Sequence, residues 1–171
     1  MTDPSAMPAS AEAGPWSGTV YRICSAPHSQ STLSLRGALQ FRGRYHLRGY
    51  FGALYTSEKL DTAVCEIGRR LTVAPKQTFV RSELRVRLSR VLDLTDPRVR
   101  RKWSVNSAQL ISEDYTACQQ LALKAWQGSL EGLIAPSAAD PAEKNAVLFL
   151  DHQHPGWSVE LVSVEPVSFP E

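Results

Sequence analysis

Arg44, Tyr55 and Glu66 stand at steps of eleven residues in the run GRYHLRGYFGALYTSEKLDTAVCE, residues 43–66. A guanidinium pairs with anions through parallel hydrogen bonds. An aromatic ring offers a flat face for a base or a pyridinium. A carboxylate stabilises positive charge that develops beside it. The three together suit recognition of a nucleotide and attack on a glycosidic bond.

The elements that must position them can be read locally. Arg44 falls in a loop broken by glycines, and Tyr55 ends a short apolar strand, Ala53-Leu54-Tyr55. Ser57 is placed to cap the helix that follows, with Glu58 near its positive end. From Leu60 the apolar residues recur at 60, 63, 64, 67 and 71, the period of an amphipathic helix. Glu66 then lies about 120° from the centre of the apolar stripe, at the margin of the buried face. Arg70, four residues on, offers the ordinary alternative of a surface pair worth about 0.2–0.5 kcal/mol.

Before this run, residues 1–15 are rich in Ala, Pro and Ser and read as a flexible lead-in, so the fold is expected over residues 16–171. Residues 18–24 alternate as a strand, with Val20, Arg22 and Cys24 on one face and Tyr21 and Ile23 on the other. An edge strand with Arg22 in water is as good a reading as a buried one. Ser25 to Arg42 reads as loop with one short turn. Beyond the run, Phe79 to Leu94 alternates as a long strand with a bend near Ser89. A turn at Asp93 to Pro97 opens a short helix toward Trp103. A longer helix is expected from about Ser112 to Trp126. Leu133-Ile134-Ala135, Ala146 to Leu150 and Trp157 to Val164 complete the strands. The pattern is α+β: a single mixed-sheet domain with flanking helices.

At 171 residues, 43% hydrophobic and 21% charged, the chain has the composition of one soluble globular domain. A net charge of +2 gives no basic stripe for a nucleic acid. Arginines do gather at 36, 42, 44 and 48, and again at 69, 70, 81, 85, 87 and 90. Most read as solvated surface, and a small phosphate compound needs only one or two. Cys24, Cys65 and Cys118 have no CxxC spacing and read as buried thiols of a reducing compartment. With no apolar run of membrane length and no apolar core of a signal peptide, a cytoplasmic protein is expected.

Several chemistries find no support. Neither GxGxxG nor GxxxxGK[ST] occurs. His152 and His154 fall in what reads as an exposed turn, so no metal site is expected. Ser137 lacks the glycines of a nucleophile elbow.

The chain resembles the RES-domain proteins, toxins of RES–Xre toxin–antitoxin pairs, whose fold is similar to the ADP-ribosyltransferase toxins. The family is named for an arginine, a glutamate and a serine, matched here by Arg44 in GRY, Glu66 in TAVCE and Ser137 in APSA. Tyr21-Arg22, Tyr55, the LDLTD of residues 92–96 and Asn145 of NAVLF match in order, over about residues 18–151. One departure stands out: the family has paired glycines before its arginine and Trp-Asn after it, where this chain has Arg42-Gly43-Arg44-Tyr45-His46.

The resemblance implies degradation of NAD at its nicotinamide–ribose bond by water or inorganic phosphate, with NAD as substrate and no cofactor. It implies an Xre-type helix-turn-helix antitoxin as partner, with a homodimer or a toxin–antitoxin hetero-oligomer as the assembly. Catalytic roles would fall to Arg44, Glu66, Tyr55 and Ser137, and substrate binding to Arg22, Tyr21, Tyr45 and Asn145. Arg22 and Arg44 would hold pyrophosphate or phosphate. Tyr45 or Tyr55 would stack on nicotinamide, and Ser137 would donate to a phosphate oxygen. Two other readings remain open: ADP-ribosyl transfer onto a protein, and a non-enzymatic module whose basic loop docks an acidic partner.

Overall fold

Alternation of Leu84, Val86 and Leu88 with Arg85 and Arg87 makes Phe79–Asp93 the longest strand, and the other strands are arranged around it. The computed structural model describes residues 12–26, 32–40, 42–70 and 78–167. In chain order its elements are β1 (Ala13–Ser25), α1 (Arg36–Gln40), β2 (Leu54–Ser57), α2 (Leu60–Arg70) and β3 (Phe79–Asp93). They continue with α3 (Pro97–Lys102), α4 (Ser107–Ile111), α5 (Thr116–Gln127), β4 (Gly132–Pro136), β5 (Lys144–Leu148) and β6 (Ser158–Val167). The architecture is α+β with a mixed sheet. Only β3 and β4 run parallel, and every other pair is antiparallel.

The strand order is β1-β2-β5-β4-β3-β6, and β1 also pairs with β3, so five of the six strands close a ring. β3 makes this possible by changing partner. One edge follows β1 along nearly its whole length; the other holds β6 as far as Arg87 and β4 from Val91. Between these spans Ser89 and Arg90 together face Pro15 of β1, because Leu88 pairs with Trp16 and Val91 with Gly14. Pro15 has no N–H to leave unpaired there.

The N–H groups of the β3 bulge are taken by a side chain. Glu131, 1% exposed, accepts from Ser89 N (2.7 Å) and Arg90 N (2.9 Å) through Oε1, and from His154 N (3.3 Å) through Oε2. The bend expected near Ser89 is this bulge.

Four local expectations are corrected. Strand β1 begins at Ala13, inside the expected lead-in, because Ala13 and Gly14 extend the β1–β3 ladder; residues 1–11 of that lead-in lie outside the described residues. The segment before Arg42 carries a one-turn helix, α1. Ser57 does not cap α2: it is the last residue of β2, paired with both Tyr21 and Asn145. The helix expected from Ser112 starts at Thr116, after a separate α4 opened by an Asn106–Gln109 capping box. Asp114 takes the N–H and hydroxyl of Thr116, so the chain turns before α5 and leaves Tyr115 at its start.

α5 packs Cys118, Leu121, Ala122 and Ala125 into a core with Leu92, Leu94, Leu110, Leu133, Val147 and Phe149. Each fully buried Leu or Phe contributes about 1.5–3 kcal/mol, so packing rather than helix propensity holds α5. Phe51 stacks on Trp126 at 5.2 Å and meets Phe149 edge-on, which anchors the loop between α1 and β2 to this core. All three cysteines are free; Cys118 is buried, Cys24 half-buried, and Cys65 exposed on the outer face of α2, contrary to expectation. No helix among the described residues is long and apolar enough to cross a membrane.

Candidate active site

Where β1, β2 and α2 converge, a cleft of 560 Å³ opens, within the range of small-molecule sites. Tyr21, Arg22, Tyr55, Ser57, Glu66 and Asn145 line it from these elements and β5, with Arg42, Gly43, His46 and Tyr115 on the loop side. The apolar stripe of α2 packs Ala63 against Ile23 and Phe79, and this turns half-buried Glu66 toward the cleft. The proposed partner Arg70 has its side chain outside the described residues.

Glu66 is held by residues remote in sequence. Its Oε1 accepts from Ser137 Oγ at 2.6 Å and from Asn145 Nδ2 at 2.8 Å. Asn145 is oriented in turn because its Oδ1 accepts from Ser57 Oγ at 2.7 Å. Ser137 is fully buried at the end of β4, and its Oγ also accepts the N–H groups of Ala139 (3.1 Å) and Asp140 (3.2 Å). The one hydroxyl proton of Ser137 therefore goes to Glu66. Ser137 does not line the cleft, and the hydroxyl proton expected to reach a phosphate oxygen is donated to Glu66.

Tyr55 is fixed at three points. Its hydroxyl accepts the N–H of Tyr45 and meets His46 Nδ1, both at 2.8 Å, and its carbonyl accepts from Arg22 Nη1 at 3.3 Å. Arg22 is thus half-buried at the cleft, not in water on an edge, since β1 is paired on both sides. Gly43 admits this arrangement: a Cβ there would lie 2.2 Å from His46 Cε1 and 2.7 Å from the Tyr55 hydroxyl. Gly43→Ala should cost about 1–3 kcal/mol through overpacking. Chemical denaturation reads this directly, and an unchanged midpoint would show that the loop yields without cost.

Arg44 and Tyr45 depart from the expected placement. Tyr45, 3% exposed, lies in the α5 core, where burial first and nearby Cys118 second push its phenol well above the usual range. It has no face to offer a ligand. Arg44 donates to Ser112 O, and its guanidinium sits 4.5 Å over the Tyr115 ring. It does not line the cleft. Burial also raises the Cys118 thiol against an opposing effect of Arg44. Arg42, His46 and Tyr115 were not among the residues selected from sequence. Tyr115 stands at helical spacing from the buried set Cys118, Leu121, Ala122 and Ala125, but the Asp114 turn sets it at the cleft instead.

A cleft with a braced carboxylate, a fixed tyrosine and guanidiniums defines a class. The chain belongs to the RES-domain family, whose model matches residues 19–170. Over 130 residues it is 28% identical to the NAD(+) phosphorylase MbcT of Mycobacterium tuberculosis, covering 72% of this chain and 69% of that protein. It is 35% identical over 114 residues to the probable NAD(+) phosphorylase Rv3189 of the same organism, covering 63% of this chain and about half (53%) of that protein. The fold matches a chain in the crystal structure of the M. tuberculosis MbcT–MbcA toxin–antitoxin complex with a TM-score of 0.79 at 22% identity, over 94% of this chain and 90% of that one.

Proposed function

We propose that the protein is a toxin-type enzyme that degrades NAD by phosphorolysis, and that a cognate antitoxin silences it by covering the cleft. The observation that carries this reading is Glu66 held at the cleft wall by Ser137 and Asn145, beside Arg22 and Tyr55. The names of its relatives, NAD(+) phosphorylases, favour inorganic phosphate over water as acceptor.

An oxygen of phosphate attacks C1 of the nicotinamide ribose as the bond to the pyridinium nitrogen breaks. The bonding electron pair goes to that nitrogen and neutralises it, so nicotinamide leaves without a general acid. The other product is ADP-ribose phosphorylated at the same carbon. Charge develops on an oxocarbenium-like ribose, and Glu66 stabilises it. Ser137 and Asn145 are positioning residues for Glu66. Tyr55 and Tyr21 bound the space for nicotinamide, and Arg22 meets anionic oxygen.

The ring of strands around β3 supports kinship with the ADP-ribosyltransferase toxins, and one catalytic domain from Ala13 onward accounts for the continuous ladder. The toxin–antitoxin setting of the structural neighbour favours an antitoxin partner, for which we propose the Xre-type helix-turn-helix class. The substrate and the three free thiols favour action in the cytoplasm.

The test is incubation of the purified protein with NAD, with and without inorganic phosphate, the products being resolved by mass. Nicotinamide and phosphorylated ADP-ribose are expected. ADP-ribose alone would make water the acceptor, and mass added to a protein would favour transferase action. Intact NAD would overturn the reading, and salt-sensitive partner binding without turnover would favour a docking module.

A further inference from the structure

Two guanidiniums line the cleft among the described residues, those of Arg22 and Arg42. Arg44 is not one of them, although it is the arginine of the family pattern. Its Nη1 is committed to Ser112 O and its guanidinium to the Tyr115 face at 4.5 Å. Arg42 lies two residues earlier, exposed, with its guanidinium 5.5 Å from the centroid of the same ring. Among the described residues it makes no hydrogen bond or ion pair. The acid facing it, Asp114, is occupied by the N–H and hydroxyl of Thr116, its main causes of acidification, with Arg42 a lesser one.

From this geometry we infer that Arg42 is the cation that grips the diphosphate of the dinucleotide, and that Arg44 and Tyr115 form the bracket that holds Arg42 at the cleft. This rests on the NAD reading and names the residue that recognises the substrate's anionic centre. Three contacts make the bracket rigid. Gln119 Nε2 donates to Gly43 O at 2.9 Å, Arg44 ties the loop to Ser112, and both arginines lie over Tyr115. The segment leading into α5 is thus fastened to residues 42–44 on both sides of Arg42's attachment. A guanidinium resting on an aromatic face keeps its donor edge available to phosphate oxygens. One already spent on a carbonyl has fewer donors left for them.

The experiment compares wild type, Arg42→Ala, Arg42→Lys and Arg44→Ala in binding of ADP-ribose by calorimetry, alongside NAD kinetics. Arg42→Ala should weaken ADP-ribose binding and raise KM for NAD by about 10–100-fold with kcat nearly kept, as expected for lost uniform binding. It should also flatten the salt dependence of binding, and Arg42→Lys should recover part of both losses. Arg44→Ala should lower the melting temperature and reduce kcat as well, because the bracket loosens. Unchanged ADP-ribose affinity in Arg42→Ala, or a pure KM effect in Arg44→Ala at unchanged melting temperature, would overturn the assignment. Failure of the wild type to cleave NAD would sink the proposed function alone, since calorimetry still decides whether Arg42 binds the diphosphate.

Discussion

Glu66→Gln should lower the rate of nicotinamide release by about 10²–10³-fold and leave the melting temperature within a few degrees of wild type. The substitution keeps shape. The amide oxygen can still accept from Ser137 Oγ and Asn145 Nδ2, which reach Glu66 at 2.6 and 2.8 Å, so the network survives. What is lost is the negative charge opposite a ribose that becomes cationic only as the bond breaks. The loss should therefore appear in kcat, with KM for NAD changed little. Full activity in this variant would return Glu66 to a structural role at the end of the Ser57–Asn145 chain.

Glu131→Ala should be strongly destabilising. Glu131 serves the N–H groups of Ser89, Arg90 and His154 at the point where β3 exchanges β6 for β4. Each donor shielded from water and left without an acceptor costs about 1–3 kcal/mol. A combined loss of about 3–5 kcal/mol is a large share of a typical 5–15 kcal/mol. At about 2–4 °C per kcal/mol the melting temperature should fall by roughly 10–15 °C. Glu131→Gln keeps an oxygen for the two bulge donors and should lose only a part of this. A melting temperature unchanged in Glu131→Ala would show that water replaces the carboxylate without cost.

Periodic elements were legible in the sequence because burial follows a period. The stripe of α2 and the alternation of β3 located both, and the margin position of Glu66 on its helix is where the cleft opens. Positions decided by tertiary contacts were not legible. Ser57 has the chemistry of a cap, yet pairing with Tyr21 and Asn145 draws it into β2. Tyr45 and Tyr55 are the same residue type in neighbouring segments; one is core and the other lines the cleft, because Gly43 lets His46 and Tyr55 close on each other and Tyr45 turns to Cys118. Order along the chain brought Ser137 and Asn145 into view, but not their joint hold on one carboxylate oxygen. Arg42 and Tyr115 appear only when the turn before α5 is seen against the loop.

The most direct measurement is a phosphorus NMR time course of the purified protein with NAD and inorganic phosphate. Cleavage by phosphate predicts that the inorganic phosphate signal falls while one phosphomonoester signal grows in step, the diphosphate signals keeping their total intensity, with nicotinamide released in equal amount. An inorganic phosphate signal that persists unchanged at high enzyme concentration, with no phosphomonoester formed, would contradict it.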